Sequence, residues 1–248
     1  MKALVTGASS GIGRDIAVKL SEMGYDVVLV ARNKKGLEET SKLCKSNTQV
    51  YVGDVSNTIE CKKLFNKYKN IDILVNNAGF GNFGEFHKTD INNDLSMIDT
   101  NIKGLHVLTK LYLDEMIKKD SGKILNVASM AAFMPGPLMS TYYASKSYVL
   151  RLTCAIYEEL RRNKSNVSVY VLCPGPVDTN FNNVADVNFA VKSMTSKFVA
   201  DYAIKKMFKN KLIIIPGFFN RLWIILSKFL SIKMLLKIDY NLQKKKEK

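Results

Sequence analysis

The chain alternates between short, predominantly apolar runs and longer segments in which apolar residues recur every three or four positions. The apolar runs cover residues 2–6, 25–31, 49–52, 71–75, 123–128 and 167–172, with a shorter strand-like run at 211–215. Helical periodicity marks the segments between them, at 12–23, 37–45, 58–68, 91–118 and 141–162. Strands that are apolar along their whole length are buried on both faces. The pattern therefore predicts an α/β fold, a doubly wound parallel sheet with helices on both faces of a single domain.

Several of these predicted strands are followed at once by residues that suit ligand binding. Arg32, Asp54, Asn77, Ser129 and Pro174 each come after an apolar run. In an open parallel sheet the carboxyl ends of the strands share one edge, and ligands bind in the crevice outside that edge. The sequence thus predicts one domain with one ligand site.

The first strand is followed by a glycine-rich turn, Gly7-Ala8-Ser9-Ser10-Gly11-Ile12-Gly13. Glycine allows a tight turn and a close approach of backbone to a bulky anion. The helix behind the turn directs unpaired N–H groups and a partial positive charge at the same place. The spacing is G-x-x-x-G-x-G, without the Gly-Lys-Ser/Thr of a nucleotide-triphosphatase loop. The turn predicts phosphate binding, although alone it is also compatible with a plain glycine-rich turn.

Tyr142 and Lys146 are four residues apart at the start of a predicted helix, which puts both side chains on one face. A nearby ammonium favours the phenolate and lowers a tyrosine pKa from about 10 toward neutrality. A tyrosine tuned in this way can exchange a proton with an alcohol oxygen. Ser129 could hydrogen-bond the same oxygen. Taken by itself, such a pair could also be a surface contact without function.

Composition limits the remaining classes of protein. The chain has 248 residues, and its hydrophobic content of 47% is ample for one large core. Four cysteines without paired spacing and only two histidines predict neither a disulfide framework nor a metal site, but reduced thiols in a cytoplasmic protein. The first strand begins at residue 2, which leaves no room for a cleavable signal peptide. A net charge of +15 favours anionic partners, either phosphate groups or a membrane surface, and no recognised nucleic-acid motif is present.

Four motifs in the expected order resemble those of the short-chain dehydrogenase/reductase family, over roughly the first 210 residues. Residues 6–13 (Thr-Gly-Ala-Ser-Ser-Gly-Ile-Gly) are similar to the family's cofactor loop, and residues 76–79 (Asn-Asn-Ala-Gly) to its strand-four motif. Residues 142–146 (Tyr-Tyr-Ala-Ser-Lys), with Ser129 thirteen residues before Tyr142, resemble its active site. Residues 174–179 (Pro-Gly-Pro-Val-Asp-Thr) resemble its nicotinamide-side loop. The resemblance implies a Rossmann-type dinucleotide-binding fold with oxidoreductase activity.

The resemblance also implies a role for each matching residue. Tyr142 would be the general acid in reduction and the base in oxidation, while Lys146 would lower its pKa and hold the nicotinamide ribose. Ser129 would orient the substrate carbonyl, and Asn101 would hold a relay water. Tyr143 competes with Tyr142, but it lies three residues from Lys146 and the family pattern selects Tyr142. The implied cofactor contacts are Gly7, Ser9, Ser10, Gly11, Ile12, Gly13, Arg32, Asp54, Val55, Asn77, Ala78, Gly79, Tyr142, Lys146, Pro174, Gly175, Val177 and Thr179, with adenine at Asp54 and Val55 and the carboxamide at Thr179.

The residue after the second strand indicates which cofactor is used. An NAD enzyme usually places Asp or Glu there to bind the ribose 2′-hydroxyl, whereas an Arg accommodates the 2′-phosphate of NADP. This chain has Ala31-Arg32 and no acid at that point. A guanidinium pairs with phosphate, so we expect NADP(H) rather than NAD(H). Arg32 could instead be a solvated residue at a strand end.

Three functions are compatible with these observations. The leading hypothesis is an oxidoreductase that transfers a hydride between NADP(H) and a carbonyl or secondary alcohol substrate. The alternatives are a dinucleotide-binding regulatory protein on the same fold and a membrane-peripheral scaffold. The resemblance further implies a homo-oligomer that pairs through helices 91–118 and 141–162.

Two segments bear on substrate and location. Residues 181–197 are predicted to form a lid whose apolar residues suit a lipophilic substrate or pack the lid on the body. The dinucleotide-binding and catalytic domain is predicted to cover residues 1–217. The extension 218–248 is apolar and basic, with eight Lys or Arg against two acids in the last 28 residues. It has no uncharged run long enough to span a membrane, and a single amphipathic helix would need a bend near Ser231. It could lie on anionic lipid at the inner membrane surface, or pack over the substrate entrance or in a subunit interface.

Overall fold

The computed structural model describes residues 1–179 and 193–244. Within these residues, seven parallel strands form one sheet in the order β3-β2-β1-β4-β5-β6-β9. The strands are β1 (Lys2–Thr6), β2 (Asp26–Ala31), β3 (Thr48–Val52), β4 (Ile73–Asn76), β5 (Gly122–Val127), β6 (Val167–Leu172) and β9 (Ile213–Ile214). A second, two-stranded parallel sheet pairs β7 (Val177–Asp178) with β8 (Met194–Thr195). The strand order reverses between β1 and β4, which is where a doubly wound sheet opens its binding crevice.

Helices cover both faces of the large sheet. They are α1 (Gly11–Glu22), α2 (Lys34–Leu43), α3 (Thr58–Lys67), α4 (Ile91–Ile98), α5 (Leu105–Lys118), α6 (Ser140–Arg162), α7 (Ser196–Met207), α8 (Phe218–Ser227) and α9 (Ile232–Lys244). Ala3 and Val5 of β1 pack into the core beneath α1 and α7, whereas Leu4 points into the opposite core beneath α3 and α5. Successive strand residues are therefore buried on opposite faces, as the apolar runs predict. The predicted α/β, doubly wound parallel sheet is confirmed.

Two local differences from the sequence pattern have simple causes. Strand β3 is half-exposed along its length because it is an edge strand that, among the described strands, pairs only with β2. Met23 is 41% exposed, so it does not extend the buried stripe that Ile16 and Leu20 form on α1. The helix ends at Glu22, and Met23 is its C-terminal cap.

The long helix predicted over residues 91–118 is interrupted. A π-helical turn, Asp99–Gly104, separates α4 from α5. A Cβ added to Gly104 would lie 2.1 Å from the Val55 carbonyl oxygen, so this turn fits tightly against the loop after β3. Single π-turns within α-helices are frequent at functional sites. Asn101 is in this turn and is fully buried.

The C-terminal extension forms two helices rather than one. Gly217 adopts a φ of +87° before α8 begins, and α8 and α9 are separated by residues 228–231. The helix is thus interrupted next to Ser231, where a single amphipathic helix would need a bend. Among the described residues, no helix is both long and apolar enough to cross a membrane. Residues 181–192 of the predicted lid lie outside the described part of the chain.

Candidate active site

A cleft of about 1010 Å³ opens at the carboxyl edge of the sheet. It is lined by all but two of the residues singled out in the sequence, the exceptions being Gly13 and Asn101. The glycine loop after β1 forms one end, and the start of α6 forms the middle. Helices α8 and α9 contribute to the other end. The structure therefore brings the residues after β1, β2, β3, β4, β5 and β6 to one site.

The glycine loop has the geometry that only glycine tolerates. Gly7 and Gly11 adopt φ values of +66° and +55°, which are strained for other residues. A Cβ on Gly13 would lie 2.3 Å from the Gly7 carbonyl oxygen, so Gly13 packs helix α1 against the loop rather than lining the cleft. Ser10 is the N-cap of α1, and its side chain makes no capping hydrogen bond within the described structure. The first N–H groups of α1 are therefore not satisfied by that side chain.

The loop after β4 locks the glycine loop in place. The Thr6 hydroxyl accepts hydrogen bonds from the backbone N–H groups of Asn77 and Ala78, at 3.0 and 3.1 Å. The Asn77 side chain donates to the carbonyl oxygens of Thr6 and Gly7, at 3.1 and 3.3 Å. Thr179 approaches from the other side, since a Cβ on Gly11 would lie 3.0 Å from its methyl carbon. Three separate predicted motifs therefore meet around one turn.

Ser129, Tyr142 and Lys146 form the centre of the cleft. The Ser129 side chain hydrogen-bonds the Tyr142 phenol and also accepts a hydrogen bond from the Ala131 N–H at 3.1 Å. Lys146 Nζ lies 5.8 Å from the centroid of the Tyr142 ring and donates to the Val127 carbonyl oxygen at 3.0 Å. Lys146 is only 5% exposed. The pair thus shares one face of α6, as its spacing predicts.

The expected lowering of the Tyr142 pKa is wrong for this structure. Burial raises the pKa of Tyr142 to about 12, partly offset by the hydrogen bond with Ser129. Burial also lowers the pKa of Lys146 to about 8. The same desolvation penalises the phenolate and the ammonium, because both groups are buried. At neutral pH Tyr142 is therefore a protonated phenol.

Asn101 is positioned beside this cluster and not in the cleft itself. Its side-chain amide donates to the Phe80 carbonyl oxygen at 2.9 Å and to Ser145 Oγ at 3.1 Å. Its Oδ1 accepts from the Phe80 N–H at 3.1 Å. A Cβ on Gly79 would lie 2.8 Å from Asn101 Oδ1 and 3.2 Å from Lys146 Nζ, so only glycine leaves this space between them open.

The end of the cleft near β2 is rich in cations. Arg32 is largely exposed and lies 3.7 Å from Asp54, measured between Nη1 and Oδ2. Arg14 is held in place, because it donates to the Ser9 carbonyl oxygen at 2.7 Å and pairs with Glu39 at 3.4 Å. Lys35 also lines this end, although no sequence motif singles it out.

The other end of the cleft is mostly apolar, and apart from Tyr143 its residues lie in no sequence motif. Met134, Met139, Tyr143, Trp223 and Leu242 line it together with two polar residues of α9, Asp239 and Gln243. One signal was available, because Asp239 is the only acidic residue between positions 218 and 244. The extension therefore packs over this end of the cleft, one of the placements left open above.

Fold and site define a Rossmann-type α/β protein with a cleft at the switch point of its sheet. Comparison with known proteins gives the family. The short chain dehydrogenase family model matches residues 1–188. An uncharacterized oxidoreductase of Staphylococcus epidermidis is 36% identical over 207 residues, covering 82% of this chain and 88% of the relative. The chain belongs to the short chain dehydrogenase family, a family of oxidoreductases.

Solved structures agree with this assignment. A serine dehydrogenase complexed with NADP⁺ is similar with a TM-score of 0.76 and 28% identity, over 87% of this chain and 94% of that one. A short chain dehydrogenase/reductase from Burkholderia phymatum in complex with NAD is similar with a TM-score of 0.77 and 25% identity, over 86% of this chain and 87% of that one. Proteins similar to this chain thus bind either dinucleotide.

Proposed function

We propose that this protein is an NADP(H)-dependent oxidoreductase that interconverts a carbonyl compound and its secondary alcohol. The observation that carries the proposal is the meeting of Ser129, Tyr142 and Lys146 in the cleft that the glycine loop also lines. A proton donor and a dinucleotide cradle in one cleft are the two parts that carbonyl reduction requires. The cradle fits the cofactor, since Gly7 and Gly11 leave its backbone open to a pyrophosphate next to the start of α1.

The state of Tyr142 favours reduction at neutral pH. When bound, NADP(H) supplies or accepts the hydride. Tyr142 then gives its proton to the developing alkoxide, since its raised pKa, about 12, keeps the phenol protonated. Ser129, hydrogen-bonded to the phenol, orients the carbonyl oxygen toward it. Lys146 would hold the nicotinamide ribose, and Asn101 would hold a relay water beside Lys146.

Arg32 supports NADP(H) rather than NAD(H). Its guanidinium is exposed at the rim of the cleft directly after β2, and no acid follows that strand. Lys35 and Arg14 line the same end. These residues offer a 2′-phosphate three cations, two of them paired with Asp54 and Glu39, and Arg32 occupies the position after β2 where an NAD enzyme usually has its ribose-binding acid. The serine dehydrogenase complex with NADP⁺ is consistent with this choice.

The outer surface of the extension supports contact with an anionic membrane surface. Apolar side chains of α8 that face outward include Phe218, Phe219, Leu222, Ile225 and Leu226, and Phe229 follows with 83% exposure. Arg221, Lys228, Lys233 and Lys237 are interspersed with them and are also exposed. Apolar side chains flanked by basic ones suit the headgroup region of anionic lipid. Such a location would give a lipophilic substrate a short path to the cleft.

Measuring NADPH oxidation against a panel of aldehydes and ketones tests the proposed activity, with NADH as the matched control. We expect turnover with lipophilic ketones and a clear preference for NADPH. Tight NADPH binding without turnover on any carbonyl would instead favour a dinucleotide-binding regulatory protein. Absence of both binding and turnover would leave the membrane-peripheral scaffold.

A further inference from the structure

Helix α9 buries polar residues and exposes apolar ones, which is the reverse of the usual amphipathic pattern. Its buried residues are Leu235, Asp239 and Gln243, whereas Ile232, Met234, Leu236 and Tyr240 are exposed. Burying an acid and an amide while exposing large apolar side chains is unfavourable unless the buried polar groups serve as hydrogen-bonding partners. The buried face of α9 therefore requires hydrogen-bonding partners, from the protein or from a bound ligand.

Asp239 and Gln243 lie one turn apart on that face, 3% and 1% exposed, and both line the cleft that contains Tyr142. Gln243 Nε2 donates a hydrogen bond to the Tyr143 hydroxyl. Gln243 Oε1 is buried and has no hydrogen-bond partner among the described residues. Buried polar atoms without a partner are rare in folded proteins and call for an explanation.

These two residues lie a short distance beyond the reacting centre. The Tyr143 ring, which Gln243 contacts, has its centroid 6.1 Å from that of Tyr142. A Cβ on Gly136 would lie 2.0 Å from the Tyr143 ring, so the loop before α6 holds this ring firmly in place. The remaining lining at this end is apolar, with Met134, Met139 and Trp223. Asp239 and Gln243 thus form a polar patch at the far end of the cleft, called the polar pole below. About one aromatic ring separates it from Tyr142.

We infer that Asp239 and Gln243 determine substrate specificity by accepting a hydrogen bond from the end of the substrate that is remote from its carbonyl. A carboxylate and an amide oxygen are both acceptors, so the substrate group must be a donor, a hydroxyl or an ammonium. The substrate class is therefore a ketone on an apolar frame with a distal hydroxyl or amino group. This inference rests on the proposed function. A latch that only fastened α9 to the body would use Gln243 Nε2 and leave Gln243 Oε1 unexplained.

Three ketones of one frame serve as probes: 4-phenylcyclohexanone, 4-(4-hydroxyphenyl)cyclohexanone and 4-[4-(aminomethyl)phenyl]cyclohexanone. Each presents the same carbonyl, and only the distal group differs. The full-length wild type is expected to show a kcat/KM at least about 10-fold higher for each donor-bearing probe than for the phenyl compound. The hydroxyl and aminomethyl probes distinguish the two donor types.

Variants assign the preference to the two residues. Gln243→Leu should bring the hydroxyl preference close to parity. Asp239→Asn keeps the shape but removes the charge, and should weaken the aminomethyl preference by about 10-fold or more while affecting the hydroxyl preference less. Lys237→Gln, which removes a charge from the exposed face of the same helix, is the matched control and should keep both ratios.

Trp223, the single tryptophan of the chain, lines the cleft and reports binding without turnover. Its fluorescence is titrated with each probe in the presence of NADP⁺. Equal kcat/KM and equal binding for all three probes would overturn the inference. Variants that lower kcat/KM equally for all three probes would also overturn it, because a residue that only fastens α9 to the body would act in that way. Donor-selective binding without NADPH oxidation would refute the proposed activity, but it would still support the binding role of Asp239 and Gln243.

Discussion

The burial of Lys146 leads to a quantitative prediction for stability. Its pKa falls from the ordinary 10.5 to about 8 because the ammonium is desolvated. Each unit of pKa corresponds to about 1.4 kcal/mol, so burying the charged form costs roughly 3 kcal/mol. The folded protein releases this proton above about pH 8, whereas the unfolded chain keeps it to about pH 10.5. Between those values the unfolded state binds more protons, so stability rises with pH.

The perturbation is Lys146→Met, which removes the charge and keeps most of the apolar stem. Urea unfolding of both proteins between pH 7 and 10.5 gives the difference in free energy of unfolding, wild type minus variant. This difference should be flat below pH 8 and then increase by roughly 3 kcal/mol in favour of the wild type. The carbonyl oxygen of Val127 loses its partner in the variant, but that loss does not depend on pH.

Contributions from Tyr142 and from other titrating groups cancel in the difference as long as both proteins share them. Lys110→Met, at an exposed position on α5, is the control for loss of a lysine. A difference that stays constant from pH 7 to 10.5 would mean that the Lys146 ammonium is well solvated. The account of why Tyr142 stays protonated would then be wrong.

Three further predictions concern cofactor, assembly and membrane. Arg32→Asp should shift the ratio of the NADPH and NADH dissociation constants toward NADH by about 10-fold or more, and an unchanged ratio would assign the 2′-phosphate to Arg14 or Lys35. Light scattering should report at least a dimer, since α4, the first part of the 91–118 segment expected to pair, exposes Ile91, Leu95 and Ile98; a monomer would contradict it. Full-length protein should sediment with anionic vesicles at low salt but not with neutral ones, and Phe219→Asp combined with Phe229→Asp should abolish sedimentation. Wild type that stays in the supernatant would refute membrane docking in favour of a soluble role. A variant whose mass in light scattering drops would refute it in favour of a subunit-interface role.

Much of the architecture is predictable because it depends on local patterns. Predominantly apolar runs define the central strands, and the residues after them meet at one edge because parallel strands share their direction. The edge position of β3 was not predictable, since the residues 49–52 look no less apolar than those of a central strand. Strand order is set by the crossover connections between strands, and the sequence of a single strand does not show which strands it will pair with.

The features that the sequence missed all depend on contacts between distant segments. The π-turn at Asp99–Gly104 forms where Gly104 meets the Val55 carbonyl, and helical periodicity does not register one inserted residue. The sign of the Tyr142 pKa change is set by burial, whereas spacing alone shows only that a lysine is near. The polar pole on α9 becomes visible only once that helix is packed over the cleft.

The identity of the proton donor is the central claim, and two neighbouring tyrosines allow it to be tested directly. Single-turnover NADPH oxidation is measured with the same lipophilic ketone for Tyr142→Phe and Tyr143→Phe, and NADPH binding is measured for both. We expect Tyr142→Phe to bind NADPH normally and to lose at least about 100-fold in rate, because only the proton donor is removed. Tyr143→Phe loses its hydrogen bond with Gln243 and should keep most of the rate. A Tyr142→Phe variant that retains more than a few per cent of the wild-type rate, or a larger loss in Tyr143→Phe, would contradict the mechanism.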